Sequence, residues 1–323
     1  VSETTDLELL KTGAVLLEDA GRELVVGTGA DRIRFLHGVV TADVAGAPVG
    51  GGCRSALLTP KGHVVADMRL FVRPEAIWIV VDAGQGESVA GALARYAIMD
   101  DFAAARAPDV ALGSLCGPAA GDRLAAIGIA AGALADGPDY ANAEVPFAGG
   151  SLWLARMREL GGPAFWLGGP RALVGEVRAA LAGAGVATLA PAAAEAARVT
   201  AVEPRFGADI TADYFPMEVG LADAIDYGKG CYLGQEPIVR IRDRGHINWR
   251  LVGLDVTGGA DPAPGDRLES DAKPKAGRVT SAARLPDGRG VALALLHVSI
   301  PVGAAVRVHH GEGSLDAIVR AEA

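Results

Sequence analysis

The stretch at 64–72 constrains the fold of this chain most, because Val64, Ala66, Met68, Leu70 and Val72 alternate with Asp67, Arg69 and, one step beyond, Arg73. A side-chain period of two belongs to a β-strand with one apolar face. Upstream, Pro60-Lys61-Gly62 supplies a turn and residues 54–58 a first arm, which makes a hairpin. Around it the sequence predicts strands over 14–17 and 24–27, a helix over 31–39, a strand over 77–81 and a helix over 88–98. The order strand, helix, strand, strand, helix is that of a split β-α-β unit.

A second cycle follows. Strands are predicted over 110–115, 151–157 and 164–167, and helices over 119–127, 171–182 and 192–201, with the Ala- and Gly-rich stretch at 128–150 read as a loop region. After Trp249 the texture changes to short strands broken by Gly258-Gly259, 262–265, Pro286-Asp287-Gly288 and 311–313, as in a small β-barrel. The expected architecture is α+β: tandem split β-α-β, ferredoxin-like units over 1–245, divided near 115 and 150, then a C-terminal β-barrel over 246–323. At 323 residues the chain exceeds what one core serves, so two or three domains are expected. Half of the residues are hydrophobic but only 5% aromatic, so the interior is built from Ala, Val and Leu.

The candidate site lies at 229–236, which reads Lys-Gly-Cys-Tyr-Leu-Gly-Gln-Glu, a mixture that no amphipathic period generates. Charges are sorted around it. Residues 209–228 hold Asp209, Asp213, Glu218, Asp223 and Asp226 with no Lys or Arg, whereas 229–250 hold Lys229, Arg240, Arg242, Arg244 and Arg250 against Glu236 and Asp243. Such sorting suits a ligand with a donor-rich head and an anionic tail; the alternative is a solvated loop and helix face whose charges balance. Gly228, Gly230 and Gly234 permit close approach. Pro237 suits the first turn of a helix running toward Gly245. On that helix Glu236 and Arg240 are spaced for an ordinary i, i+4 pair.

The octapeptide, with Val239-Arg240, Arg244-Gly245 and Arg250-Leu251 after it, resembles the signature of the YgfZ family of folate-binding proteins, relatives of the glycine cleavage aminomethyltransferase, or T-protein. Further segments resemble the family in order along the chain: Asp31-Arg32, Phe35-Leu36-His37-Gly38, Thr59-Pro60-Lys61-Gly62, Ala66-Asp67, Asp82-Ala83, Arg95-Tyr96 and Phe215-Pro216-Met217-Glu218. The resemblance implies tetrahydrofolate, or a one-carbon derivative, in a central cavity. A pterin offers N–H donors to carboxylates and a glutamate tail offers carboxylates to cations. Asp67, Asp82, Tyr96 and Glu218 are then candidates for the head side, and Lys229, Arg240 and Arg250 for the tail, with Tyr232, Gln235 and Glu236 of the signature beside them.

Cys231, Lys229 and Asp67 are the candidate catalytic groups; a lysine two residues away and a helix start just beyond favour a nucleophilic or redox role for Cys231. The pattern departs from the transferases, which carry two adjacent acids where this chain has Ala66-Asp67, Asn-Ala where it has Asp82-Ala83, and an acid near Trp166. The implied function is a tetrahydrofolate-binding accessory protein that supports assembly or repair of iron–sulfur enzymes, its partners being those client enzymes or assembly proteins. The alternatives are a folate-dependent aminomethyltransferase, with Asp67 as general base or electrostatic partner, and a non-catalytic folate-binding regulatory module.

Several classes are disfavoured. A net charge of −9 argues against a phosphate-tracking nucleic-acid surface. No apolar run is long enough for a membrane span and the first ten residues are acidic and polar, so a soluble, cytoplasmic protein is expected. Cys53, Cys116 and Cys231 are too few and too widely spaced for a cluster or a structural zinc, and the six histidines are scattered or adjacent, so no metal is expected. Gly27-Thr28-Gly29 lacks the third glycine and the acid of a dinucleotide fingerprint, and there is no Walker-type loop.

Overall fold

In the computed structural model of the chain, residues 3–17, 21–257 and 261–322 are described. The first elements are α1 (Glu3–Thr12), β1 (Val15–Leu17), β2 (Arg22–Thr28), α2 (Arg32–Val39), β3 (Gly52–Leu58), β4 (Val64–Val72), β5 (Ile77–Asp82), α3 (Gly86–Tyr96) and β6 (Ala103–Arg106). Next come β7 (Val110–Cys116), α4 (Ala120–Ala126), β8 (Asn142–Phe147), β9 (Gly150–Glu159), β10 (Gly162–Pro170), α5 (Arg171–Gly183), β11 (Ala187–Leu189) and α6 (Pro191–Thr200). The last are α7 (Gln235–Arg244), β12 (Trp249–Thr257), β13 (Arg267–Ser270), β14 (Lys273–Arg284), β15 (Gly290–His297), β16 (Ala305–His310) and β17 (Gly313–Glu322).

Two compact units result: Val1–Leu57, Ala66–Ala190 and Asp226–Leu233 form the first; Leu58–Val65, Pro191–Ile225 and Gly234–Ala323 form the second. The first holds two sheets, of strand order β3-β4-β5-β2-β6 and β11-β1-β7-β10-β9-β8. The predicted hairpin and its helices are present. The strand expected over 14–17 sits elsewhere than its place in the chain suggests: β1 pairs with β7 and β11, in the second sheet. Neighbours in sequence are neighbours in a sheet only about two-thirds of the time, and all three residues of β1 are buried. The 128–150 region carries β8, whose Pro146 and half-exposed sequence mark an edge strand with weak alternation.

On β4 the apolar set is buried as predicted, yet the opposite face is buried too, with Asp67 and Phe71 both inside. That face packs on the second sheet. The Phe71 ring meets Trp153 edge-on at 4.8 Å, Trp78 lies 5.0 Å from Trp153, and the Arg22 guanidinium stacks 3.9 Å over Trp166. Gly168 on β10 belongs to this seam, because a Cβ there would stand 2.8 Å from the Trp153 ring. The outer face of the second sheet is apolar and is covered by α5 through Leu173, Val174, Val177 and Leu181, an i, i+1, i+4, i+8 stripe.

The second unit is built on the expected barrel, closed in the order β12-β15-β14-β13-β16-β17. Its core is aliphatic, including Val252, Leu254, Leu268, Val279, Leu296, Val308 and Val319. Helix α6 packs on β14 and β15. There a buried Asp209 accepts from Arg198 (2.7 Å), the Arg205 amide (3.1 Å), Thr280 (2.5 Å) and Ser281 (2.7 Å).

Candidate functional site

Within the first unit the signature residues meet the end of α2. Helix C-terminal carbonyls need donors from outside the helix, and Lys229 supplies them: Nζ donates to the carbonyls of His37 (2.5 Å), Val40 (2.7 Å) and Ala42 (2.7 Å). An ammonium has three N–H donors and no acceptor, so three converging carbonyls at the negative end of a helix match it. Burial pushes Lys229 down to about 8, against the pull of Asp43, Cys53 and Asp226. Asp226 fixes the approach. Its amide donates to the Thr41 carbonyl (3.0 Å) and its Oδ1 accepts the amides of Gly228 (2.7 Å) and Lys229 (3.1 Å), an Asx-type turn.

Downstream, Tyr232 is buried, with its ring centroid 5.4 Å from the Lys229 ammonium, and Cys231 between them is exposed. Cys53 on β3 is the contrasting thiol: burial drives it up to about 11. Lys229, expected at the folate tail, is thus turned onto backbone carbonyls, a partnership between main-chain groups that residue types cannot announce.

The first sheet gathers other predicted residues. Arg69 pairs with Val80 across β4 and β5, and Arg22 stands opposite Asp82 on β2. The Asp67 carboxylate is fully enclosed. Arg54 reaches it through Nε (3.1 Å to Oδ1) and a terminal nitrogen (2.9 Å to Oδ2), and Arg69 donates to Oδ2 at 2.8 Å. Burial pushes its pKa up, but the two guanidinium groups outweigh it and hold the carboxyl below the ordinary range. Sequence reading singled out Asp67 and missed Arg54 and Arg69; the signal was present, since Arg69 shares Asp67's face of β4.

Asp82 ends β5 and is half-buried, its carbonyl accepting the Gln85 amide at the turn into α3. Tyr96, expected beside it, stands at the far end of α3, an 11-residue helix, about 16 Å along the axis. The helix separates the two. Trp166, where the transferases were expected to place an acid, instead donates to one: Glu159 on β9 accepts Trp166 Nε1 (2.9 Å), Ser114 (2.6 Å) and Arg22.

In the second unit, Gly234 opens α7 with φ +78, and a Cβ there would lie 2.4 Å from the Thr59 carbonyl, so only glycine fits the close approach to the hairpin turn. Gln235 is half-buried, while Glu236 and Arg240 form an exposed pair at 2.6 Å. Glu218, expected at the pterin, is buried and accepts the amides of Phe215 (3.2 Å), Asn248 (3.2 Å) and Trp249 (3.4 Å), which ties a short helical turn to the start of the barrel. Arg250 donates to the Ile300 carbonyl. Among the described residues no group of three His, Cys, Asp or Glu is placed to hold a metal, and no helix is long and apolar enough to cross a membrane.

A family model described as the GCVT N-terminal domain matches residues 9–229. The chain belongs to that family. The tRNA-modifying protein YgfZ of Yersinia enterocolitica is 28% identical over 299 residues, covering 88% of this chain and 85% of that protein. A putative chloroplastic transferase of Arabidopsis thaliana is 25% identical over 287 residues, 88% of this chain but 65% of that protein, so the chain spans less than two thirds of its length. The glycine cleavage system aminomethyltransferase T of Bartonella henselae shares the fold, with a TM-score of 0.88 over 99% of this chain and 88% of that chain at 20% identity. The signature and these relatives make this a YgfZ-type member of the GCVT family.

Proposed function

We propose that this protein binds tetrahydrofolate or a one-carbon derivative and acts as an accessory to iron–sulfur enzymes rather than as an aminomethyltransferase. The enclosed Asp67 carries this reading. Arg54 and Arg69 place three N–H donors on its two oxygens and lower its proton affinity, which makes it a poor general base. The residues that suit a pterin are correspondingly few. Asp67 and Glu218 are enclosed within the protein, and Asp82, half-buried at the end of β5, is a carboxylate of the kind that suits a pterin's paired N–H groups. A link to tRNA modification, which the name of the Yersinia relative suggests, would run through a client enzyme, since a net charge of −9 disfavours direct RNA contact.

Titration with tetrahydrofolate, followed by tryptophan fluorescence, tests the binding. Asp82→Ala is expected to weaken it about ten- to a hundredfold, the loss of a charge-assisted hydrogen-bond partner; unchanged affinity would overturn the assignment of Asp82. Methylene-tetrahydrofolate formation from an aminomethyl donor, abolished in Asp67→Asn, would establish the transferase instead. Binding without rescue of an iron–sulfur enzyme defect would leave a regulatory module.

A further inference from the structure

Residues 226–232 are held at two points. At one, the Lys229 ammonium fills the cup made by the carbonyls of His37, Val40 and Ala42, with the Asp226 amide on Thr41 beside it. At the other, the Tyr232 side chain is buried. Gly230 and Cys231 span the gap, both exposed. Gly230 has open space where a Cβ would stand.

We infer that Lys229 is a positioning residue: its ammonium docks the signature loop on the C-terminal end of α2 and so sets where the Cys231 thiol stands. This goes beyond the folate reading and does not depend on it. The groups around the cup are Asp43, which pairs with the His37 ring at 3.1 Å, the Cys53 thiol and Asp226. Both carboxylates favour a cation there. A guanidinium is planar and cannot send three N–H groups into one point, so arginine is no substitute. An alkylammonium ion, by contrast, is the head group itself.

The test uses the full chain without folate. Hydrogen exchange is read at the amides of Asp226 and Lys229, and iodoacetamide alkylation at Cys231. In Lys229→Met and Lys229→Arg, amide protection in the loop is expected to fall about tenfold or more, as for loss of a charge-assisted hydrogen-bond set, with the Cys231 alkylation rate changed and protection in the barrel intact. In Lys229→Gly, added methylammonium should restore both readouts, and tetramethylammonium, of the same charge but with no N–H to donate, should not. Unchanged exchange in Lys229→Met would overturn the inference. So would equal restoration by the two amines, or by neither. Should Lys229→Met lose protection throughout, the paired-amine comparison in Lys229→Gly still decides.

Discussion

Asp67 and Asp209 are both buried carboxylates with no exposed side-chain surface, and they are held in different ways. Asp67 is gripped only by guanidinium groups, whose own side chains are 14% and 21% exposed. Asp209 accepts from one guanidinium, two hydroxyls and an amide, and its Arg198 also serves Glu195 and the Glu203 carbonyl. The second set joins α6, the segment after it and β14, so two hydroxyls and an amide lose this acceptor at once if the carboxylate goes, while Arg198 keeps Glu195 and the Glu203 carbonyl. Around Asp67 the arginines can swing toward water. Burial therefore ranks the two alike, while the identity of the donors separates a fastening from a site that tolerates change.

Removing each carboxylate sharpens that contrast. Asp209→Ala should cost about 3–5 kcal/mol, because it leaves the buried Thr280 and Ser281 hydroxyls without this acceptor and strips one of the two carboxylates from Arg198; chemical denaturation measures it. Asp67→Asn should cost less, about 1–3 kcal/mol, since its arginines can recover solvent. Equal losses would erase the distinction. The pH dependence has a definite sign for Asp67: its folded pKa is lowered, so its contribution is present above the ordinary carboxylate pKa and is lost as pH falls. The acid limb of the stability profile should flatten in Asp67→Asn.

Lys229 and Cys53 give a second pair, at alkaline pH. The lysine falls from 10.5 to about 8, so between pH 8 and 10.5 the unfolded chain holds a proton that the folded chain has lost, and stability rises with pH. The thiol rises from 9.0 to about 11, so between pH 9 and 11 the folded chain keeps a proton that the unfolded chain has lost, and stability falls. The two windows overlap above pH 9. Wild type should therefore gain stability from pH 8 to 9 and then level off, and Lys229→Met should lose the gain. A docked neutral amine still donates two N–H groups, so the loop need not open on the way.

The alternation on β4 made the strand legible in sequence, but it could not reveal that the charged face is an interface. A period-two pattern records polarity, and an Asp between two arginines counts as polar whether it faces water or another sheet. The barrel was readable from its turns, because closing short strands requires Gly and Pro at regular intervals. What sequence could not supply was partnership over distance: β1 with β7, Glu218 with the amides at the start of β12, and Lys229 with carbonyls that any residue would carry. Of the proposed head group, Tyr96 stands a helix length from Asp82, at the far end of α3.

The smallest effect belongs to Glu236 and Arg240, which also tests how far charge sorting locates a ligand. Their side chains are 82% and 72% exposed, one turn apart on α7, and bonded to each other at 2.6 Å. Such pairs contribute about 0.3 kcal/mol and are screened by salt, so Glu236→Ala should leave the denaturation midpoint nearly unchanged at moderate ionic strength. Folate affinity is the sharper readout. If the basic run around Arg240 receives an anionic tail, Glu236→Ala frees a guanidinium and should tighten binding of a polyglutamylated folate more than of the monoglutamate, because added carboxylates gain from each uncompensated cation. Equal affinity for both forms in wild type and variant would leave the basic run a solvated helix surface.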